Sequence, residues 1–242
     1  MMNWLPENVS TYGTDMDAVM HSIWNIVFVW FLLAEAVLFY FLIRYRKKKG
    51  QRAKYKTGNS LKEMSWVLIP AAIVLMFDLG IDFYQNPVWK KVKIDIPQDP
   101  DLVVKIEGQQ FVWNMTYPGL DNKFGTIDDF KTTSQLYVPI NKKVVFELSS
   151  KDVIHSFWVP NLRLKQDAVP GRVIKGWFEA VKNGTYSIGC AELCGSGHGM
   201  MRGQLHVLSD KEYQDWVYKK TPKKAKKALE AAADSQQENS HE

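Results

Sequence analysis

Residues 22–43 read SIWNIVFVWFLLAEAVLFYFLI, an apolar run interrupted by a single charge, Glu35. A bilayer's hydrocarbon core is about 30 Å thick and takes about 20 helical residues to cross, so this run is long enough to span it. A cleaved signal peptide is the competing reading, but such a peptide opens on a basic segment and has a shorter apolar stretch. Residues 1–21 carry no Lys or Arg. Glu35 is either a functional intramembrane acid or the partner of a neighbouring helix, and nothing close to it separates the two.

Working outward, Arg44, Arg46, Lys47, Lys48, Lys49, Arg52, Lys54, Lys56 and Lys62 crowd one short loop. A second apolar run follows at residues 64–84 (MSWVLIPAAIVLMFDLGIDFY), and its Pro70, Asp78 and Asp82 suit a helix packed against protein more than one bathed in lipid. Basic loops stay on the cytoplasmic side. The chain therefore divides into an outward segment at 1–21, two membrane helices within 22–84 joined by a cytoplasmic loop at 44–62, an outer domain at 85–218, and a charged tail at 219–242. The tail is polar enough to be disordered or a frayed helix. The bilayer itself is a partner.

With 242 residues, 46% of them hydrophobic and 13% aromatic, the chain has ample material for a core. Its formal charge of +5 sits mainly in the 44–62 loop and in a basic run at 219–227. Between residues 85 and 218, 16 basic side chains face 15 acidic ones, so the outer domain is near neutral and nucleic acid is excluded as a partner. That domain reads as β structure. Residues 102–107, 144–148, 185–190 and 203–208 are short runs of aromatic and β-branched residues bounded by Asn, Gly, Pro and Asp, a spacing that predicts a sandwich. Residues 118–125 form a loop, and its Asp121 and Asn122, with Asp128 and Asp129 just after it, do not fit an EF-hand and are expected to be solvated. Ser209 and Glu212 make a capping box that opens a helix to about Tyr218.

The chemistry concentrates at residues 190–201, CAELCGSGHGMM, which hold both cysteines of the chain. Cys190, Cys194, His198 and Met201 follow one another at intervals of four, four and three. Thiolate, imidazole and a weak thioether around one metal are the blue-copper pattern. The second thiolate is an excess that allows two metals to be bridged. A disulfide leaves His198 and Met201 unexplained, and a structural zinc site has no use for Met201. A bridged copper pair needs a further nitrogen. His21 begins a membrane helix, His241 lies in the tail, and His206 reads as a surface residue of a strand. His155, in DVIHSFWVP at 152–160, is the candidate.

At this point the chain resembles subunit II of cytochrome c oxidase, the copper A subunit of haem-copper oxygen reductases. The loop at 190–201 resembles the family's copper A signature and 152–160 its upstream histidine motif. Further likenesses are KQDAVPGR at 165–172, GQQFVW at 108–113 and EMSWVLIP at 63–70. The resemblance implies a hairpin of two transmembrane helices followed by an all-β, cupredoxin-like Greek-key sandwich. It implies that Cys190 and Cys194 bridge two coppers, that His155 and His198 bind one each, and that Met201 and the Glu192 carbonyl are weak ligands. It further implies that the Glu192 side chain reaches a magnesium ion shared with subunit I, that Glu63 lies at the mouth of a proton channel, and that Asp152, Asp167 and Arg172 contact subunit I. Subunit III would be another neighbour.

The implied activity is electron entry into the oxidase: a c-type cytochrome donates, and haem in subunit I reduces O2 to water with coupled proton translocation. The chain has no Cys-x-x-Cys-His, so no haem is expected on it. Where the family carries an electron-entry Trp, this chain has Phe111, then Val112 and Trp113. Phe is harder to oxidise. Asp121, Asp128 and Asp129 are offset by Lys123 and Lys131, so a donor held by apolar contact or within a supercomplex is expected. The location implied is a bacterial inner membrane, with the copper domain outside, rather than a mitochondrial one. A membrane-tethered copper carrier is the alternative; it would not need Glu63 or Glu192. A quinol oxidase subunit lacks the copper ligands, and a nitrous-oxide reductase needs a longer chain.

Overall fold

A computed structural model describes residues 5–52 and 55–227. They form two compact units, the first made of the N-terminal segment through Thr14 together with Lys91 onward, the second of Asp15–Lys90. The second unit is a pair of long helices, α1 (Gly13–Arg44, its first two residues belonging to the other unit) and α2 (Leu61–Trp89). At 1.5 Å per residue they are about 48 Å and about 44 Å long, more than a hydrocarbon core requires, so both run past the 22–43 and 64–84 spans expected from hydropathy. Their apolar stretches are not buried by the protein, as befits side chains whose solvent is lipid. Trp30 meets Phe77 edge to face, at 6.1 Å between centroids. Ser60 caps α2 by accepting from the Glu63 N–H at 3.2 Å. The Glu63 carboxylate then reaches back to the Gly58 N–H at 2.9 Å and to Lys56 at 3.2 Å. Glu63 thus closes the helix N-terminus, where a negative charge is stabilised by the backbone dipoles.

The first unit is a sandwich of two five-stranded sheets. One sheet is built from β1 (Leu102–Gln109), β2 (Val112–Tyr117), β3 (Phe130–Thr133), β5 (Lys143–Ser150) and β8 (Ile174–Glu179), in the order β3-β2-β1-β5-β8. The other comprises β4 (Gln135–Pro139), β6 (His155–Val159), β7 (Leu164–Ala168), β9 (Gly184–Cys190) and β10 (Arg202–Leu208), in the order β4-β10-β9-β6-β7. The β1–β5 and β10–β4 pairs are parallel, so each sheet is stitched by crossovers rather than by hairpins alone. Alternation along the strands sends one face inward: Trp113, Met115 and Tyr117 from β2, Phe146 and Leu148 from β5, Leu136 and Val138 from β4, and Leu205 and Val207 from β10 are all buried. Each such side chain contributes about 1.5–3 kcal/mol through removal of apolar surface from water.

Three expectations change on folding. Residues 5–12, read only as part of the outward segment at 1–21, lie against the sandwich with Val9 and Tyr12 fully buried. Val9 donates to the Asn161 carbonyl at 2.9 Å and accepts from Val181 at 2.8 Å, so the segment completes an open backbone edge. The second change is at 118–129. Asp128 is not solvated but buried, and its carboxylate accepts from the Leu120 and Asp121 amides at 2.6 and 3.0 Å and from the Thr126 hydroxyl at 2.6 Å. Asp121 and Asp129 are likewise engaged, by the Lys123 and Gly125 amides, each at 2.8 Å. These carboxylates brace the loop from within. Third, His206 is partly exposed, as a surface residue of a strand would be, but it is also stacked on Tyr137 at 4.4 Å and held by Gln135 at 2.6 Å. The capping box at Ser209 opens α3 (Asp210–Lys220), and the chain beyond it is helical again at 223–227 with Ala225 buried. The rest of the expected disordered tail lies outside the described residues.

Burial raises the Asp128 carboxyl, but the Thr126 hydroxyl and the amides of Asp121, Leu120 and Asp128 itself outweigh it and hold the group below its ordinary value. A depressed carboxyl stabilises the fold above its unfolded value of about 3.9, and that contribution is lost as pH falls through the native value. Asp128→Ala is expected to cost the loop about 1–3 kcal/mol, or roughly 5- to 160-fold lower protection of the Leu120 and Asp121 amides. Hydrogen exchange on the full chain checks this. Wild-type protection should decline below about pH 4, with that part of the decline missing from the variant.

Candidate metal centre

The β6–β9 pairing builds the site. Phe157 stands opposite Cys190, so the start of β6 and the end of β9 meet at one rim of the sandwich. His155, two residues before Phe157 on an alternating strand, points to the same face, and its ring is fully buried. From Cys190 the chain leaves β9 and turns back through a short 3-10 turn at His198–Met200 before entering β10. That return brings the remaining donors over the same rim.

Five side-chain donors converge there. Cys190 Sγ lies 3.8 Å from Cys194 Sγ and 3.9 Å from His155 Nδ1. Cys194 Sγ lies 3.6 Å from His198 Nδ1 and 3.8 Å from Met201 Sδ. The Glu192 carbonyl is 3.2 Å from Cys190 Sγ, while the Glu192 side chain is exposed. Bonded sulfurs stand about 2.05 Å apart, so the cysteines are thiols and the disulfide reading fails. Donors sharing one ion through bonds of about 2.0–2.3 Å at tetrahedral angles stand about 3.3–3.8 Å apart, close to what is found here. His155, Cys190 and Cys194 are mutually close enough to hold one ion.

The electrostatics fit a bound cation. Burial and the neighbouring Cys190 push the Cys194 thiol up to about 11. A thiolate there needs a positive charge beside it. His155 Nε2 lies 2.8 Å from Asp152 Oδ1, and an ionised carboxylate only accepts, so Nε2 carries the proton and Nδ1 turns its lone pair toward Cys190. Partial burial raises the Asp152 carboxyl, but the Gln110 amide, the His155 ring and the Val153 amide overcome this and hold it down to about 2. Gly108 gives the imidazole its space, since a Cβ there would stand 2.9 Å from His155 Cδ2. Trp113 closes the other side edge to face, at 5.9 Å.

The structure sorts the remaining expected residues by place. Trp113 is fully buried behind His155 and reaches no surface. Phe111 is half-buried over Gly195 and Gly197 of the ligand loop, where an added Cβ would meet its ring at 3.2 and 2.4 Å. Asp167 accepts from the Ser156 hydroxyl at 2.7 Å, and Arg172 lies exposed in the turn after β7. Glu63 belongs to the helical unit. Gln110 was not singled out from sequence, although its side chain donates to the Cys194 carbonyl at 2.6 Å. Its partner is 84 residues away, and no spacing rule links them.

Two family models match. The cytochrome c oxidase subunit II transmembrane domain matches residues 2–80, and its periplasmic domain matches residues 102–207. A subunit 2 of Thermostichus vulcanus is 32% identical over 261 residues, covering 88% of this chain and 77% of the relative. The chain belongs to the cytochrome c oxidase subunit II family. Another subunit 2, from Alkalihalophilus pseudofirmus, is 36% identical over 186 residues, covering 75% of this chain and 52% of the relative. Among solved structures, the periplasmic domain of subunit II of Bradyrhizobium japonicum cytochrome oxidase is 32% identical over 52% of this chain and 96% of that one, with a TM-score of 0.44. As a subunit II, this chain is a membrane component of an oxidase complex with a periplasmic copper domain, and the carrier reading is not favoured.

Because Asp152 fixes the tautomer and direction of His155, Asp152→Ala is expected to weaken copper binding by about 10–100-fold. Competition for copper between the full-length subunit and a chelator of known affinity measures the change. Wild-type affinity in the variant would show that Asp152 does not orient the ring.

Proposed function

We propose that this subunit II holds a dinuclear copper A centre through His155, Cys190, Cys194, His198, Met201 and the Glu192 carbonyl, and serves as the electron entry of the oxidase. The observation that carries this reading is the pair of thiols 3.8 Å apart with an imidazole nitrogen close to each. When bound, the copper pair supplies one-electron redox chemistry between a c-type cytochrome and the haem of subunit I. The chain's part is to hold the donors still. Burial of His155, Cys194 and Met201 keeps water from the inner side, and the Asp152 carboxylate keeps His155 in one tautomer. A cage that moves little between redox states needs little reorganisation.

The exposed Glu192 side chain, on the same loop, is the proposed magnesium ligand facing subunit I, with Asp152, Asp167 and Arg172 on that border. Glu63, in the first turn of α2, is the proposed acid at the cytoplasmic mouth of a proton channel in the neighbouring subunit. Subunit III is a proposed neighbour, a bacterial inner membrane the proposed location, and no haem is assigned to this chain. On the donor side, Trp113 is buried and Phe111 is half-buried in the β1–β2 turn, whereas Asp121, Asp128 and Asp129 follow the other end of β2 and are bonded within their own loop. A donor held by apolar contact at Phe111 or in a supercomplex is the proposed mode.

Copper loading of the full-length subunit in detergent tests the centre. Two coppers per chain and an electron-spin resonance signal shared over both are expected; one copper with a single-ion spectrum overturns the assignment. For the donor side, oxidation of soluble cytochrome c by the assembled oxidase should vary only weakly with ionic strength, whereas strongly steered partners slow steeply as salt rises.

A further inference from the structure

We infer that Gln110 is a positioning residue that ties the two halves of the ligand set together. The inference rests on reading the site as a dinuclear copper centre. Gln110 sits in the turn between β1 and β2, and its main-chain N–H donates to Asp152 Oδ2 at 2.8 Å. The other oxygen of that carboxylate holds His155 Nε2 at 2.8 Å. The Gln110 side-chain amide donates to the Cys194 carbonyl at 2.6 Å. One residue therefore holds both the group that orients His155 and the main chain that carries a bridging thiol.

The ligand loop has need of such a tie. Cys190 is fixed by β9, and Met201 leads directly into β10, but Cys194 lies between them in irregular backbone. The turn's own hydrogen bonds begin one residue later, where the His198 and Met200 amides donate to the Gly195 and Gly197 carbonyls. Gly195 has a φ of +133°, which favours glycine, and a Cβ on it would lie 2.8 Å from Gln110 Nε2. A Cβ on Gly197 would enter the Phe111 ring. Both glycines of Cys194-Gly-Ser-Gly-His198 thus make room for the Gln110–Phe111 turn to press on the loop. Swinging the Cys194 peptide would redirect its Cα–Cβ bond and so move Sγ against His198 and Met201. Gln110 touches no donor atom, and it acts through the Cys194 carbonyl.

Gln110→Ala removes the side chain, and Gln110→Glu keeps its size but replaces the N–H donor with an acceptor. The main-chain bond to Asp152 survives in both. In the full-length subunit in detergent, both variants are expected to bind two coppers. Both should show altered copper hyperfine splitting and thiolate-to-copper absorption, and release copper to a chelator about tenfold faster than wild type. Wild-type spectra and release rates in both variants overturn the positioning role. Normal behaviour of Gln110→Glu alongside a defect in Gln110→Ala also overturns it, because packing rather than donation would then be responsible. If wild type itself gives no two-copper signal, the copper reading fails and the inference falls with it.

Discussion

The antiparallel pairing of β6 with β9 is the constraint on which the site depends. Its register sets Phe157 against Cys190, and the two-residue period of a strand then leaves no choice about where His155 goes. A slip of one residue would turn His155 out of the rim and expose Phe157. Phe157 resists that slip because it is fully buried, with Trp113 edge to face on it at 5.2 Å. Core packing and ligand geometry are therefore enforced by the same side chains.

Around this pairing, the surrounding polar groups are used to hold ligands rather than to present charge. Asp152 is shared between a ring nitrogen and two main-chain amides. Ser156, the residue after His155, accepts at its carbonyl from Ala191 at 2.9 Å while its hydroxyl is held by Asp167. The ligand loop is thus bonded to β6 directly and to the β1–β2 turn through Gln110. Each bond is modest by itself, about 1 kcal/mol, but together they restrict the loop to one arrangement. A redox centre that must not rearrange is well served by such redundancy. Phe111 fits the same pattern, since its ring covers the two glycines of the loop.

Much of this architecture is legible in local sequence. Membrane helices announce themselves by length and apolarity, the basic loop by its charge, and β1, β5, β9 and β10 by alternation, because each signal is contained in a window shorter than about 30 residues. The capping box at Ser209 and Glu212 is contained in four. What was missed is non-local. Asp128 looks like one more acid in a polar loop until folding brings it onto the Leu120 and Asp121 amides. Residues 5–12 carry no pattern announcing that the edge near Val181 and Asn161 will take them up. Trp113 stands beside Phe111 as an electron-entry candidate in sequence, yet alternation along β2 buries it.

By itself, the sequence determined the chemistry: two thiols, two imidazoles and a thioether of the types a soft metal selects, on a chain that crosses a membrane twice. Donor identity is a property of residue type, and the 4-4-3 spacing of one loop survives any fold that keeps the loop intact. Tertiary structure alone decided how His155 joins a loop that starts 35 residues later, which nitrogen of its ring faces the thiols, and that Gln110 braces Cys194. Those facts depend on strand register and on hydrogen bonds between segments 42 and 84 residues apart, and such contacts exist only once the sandwich has closed.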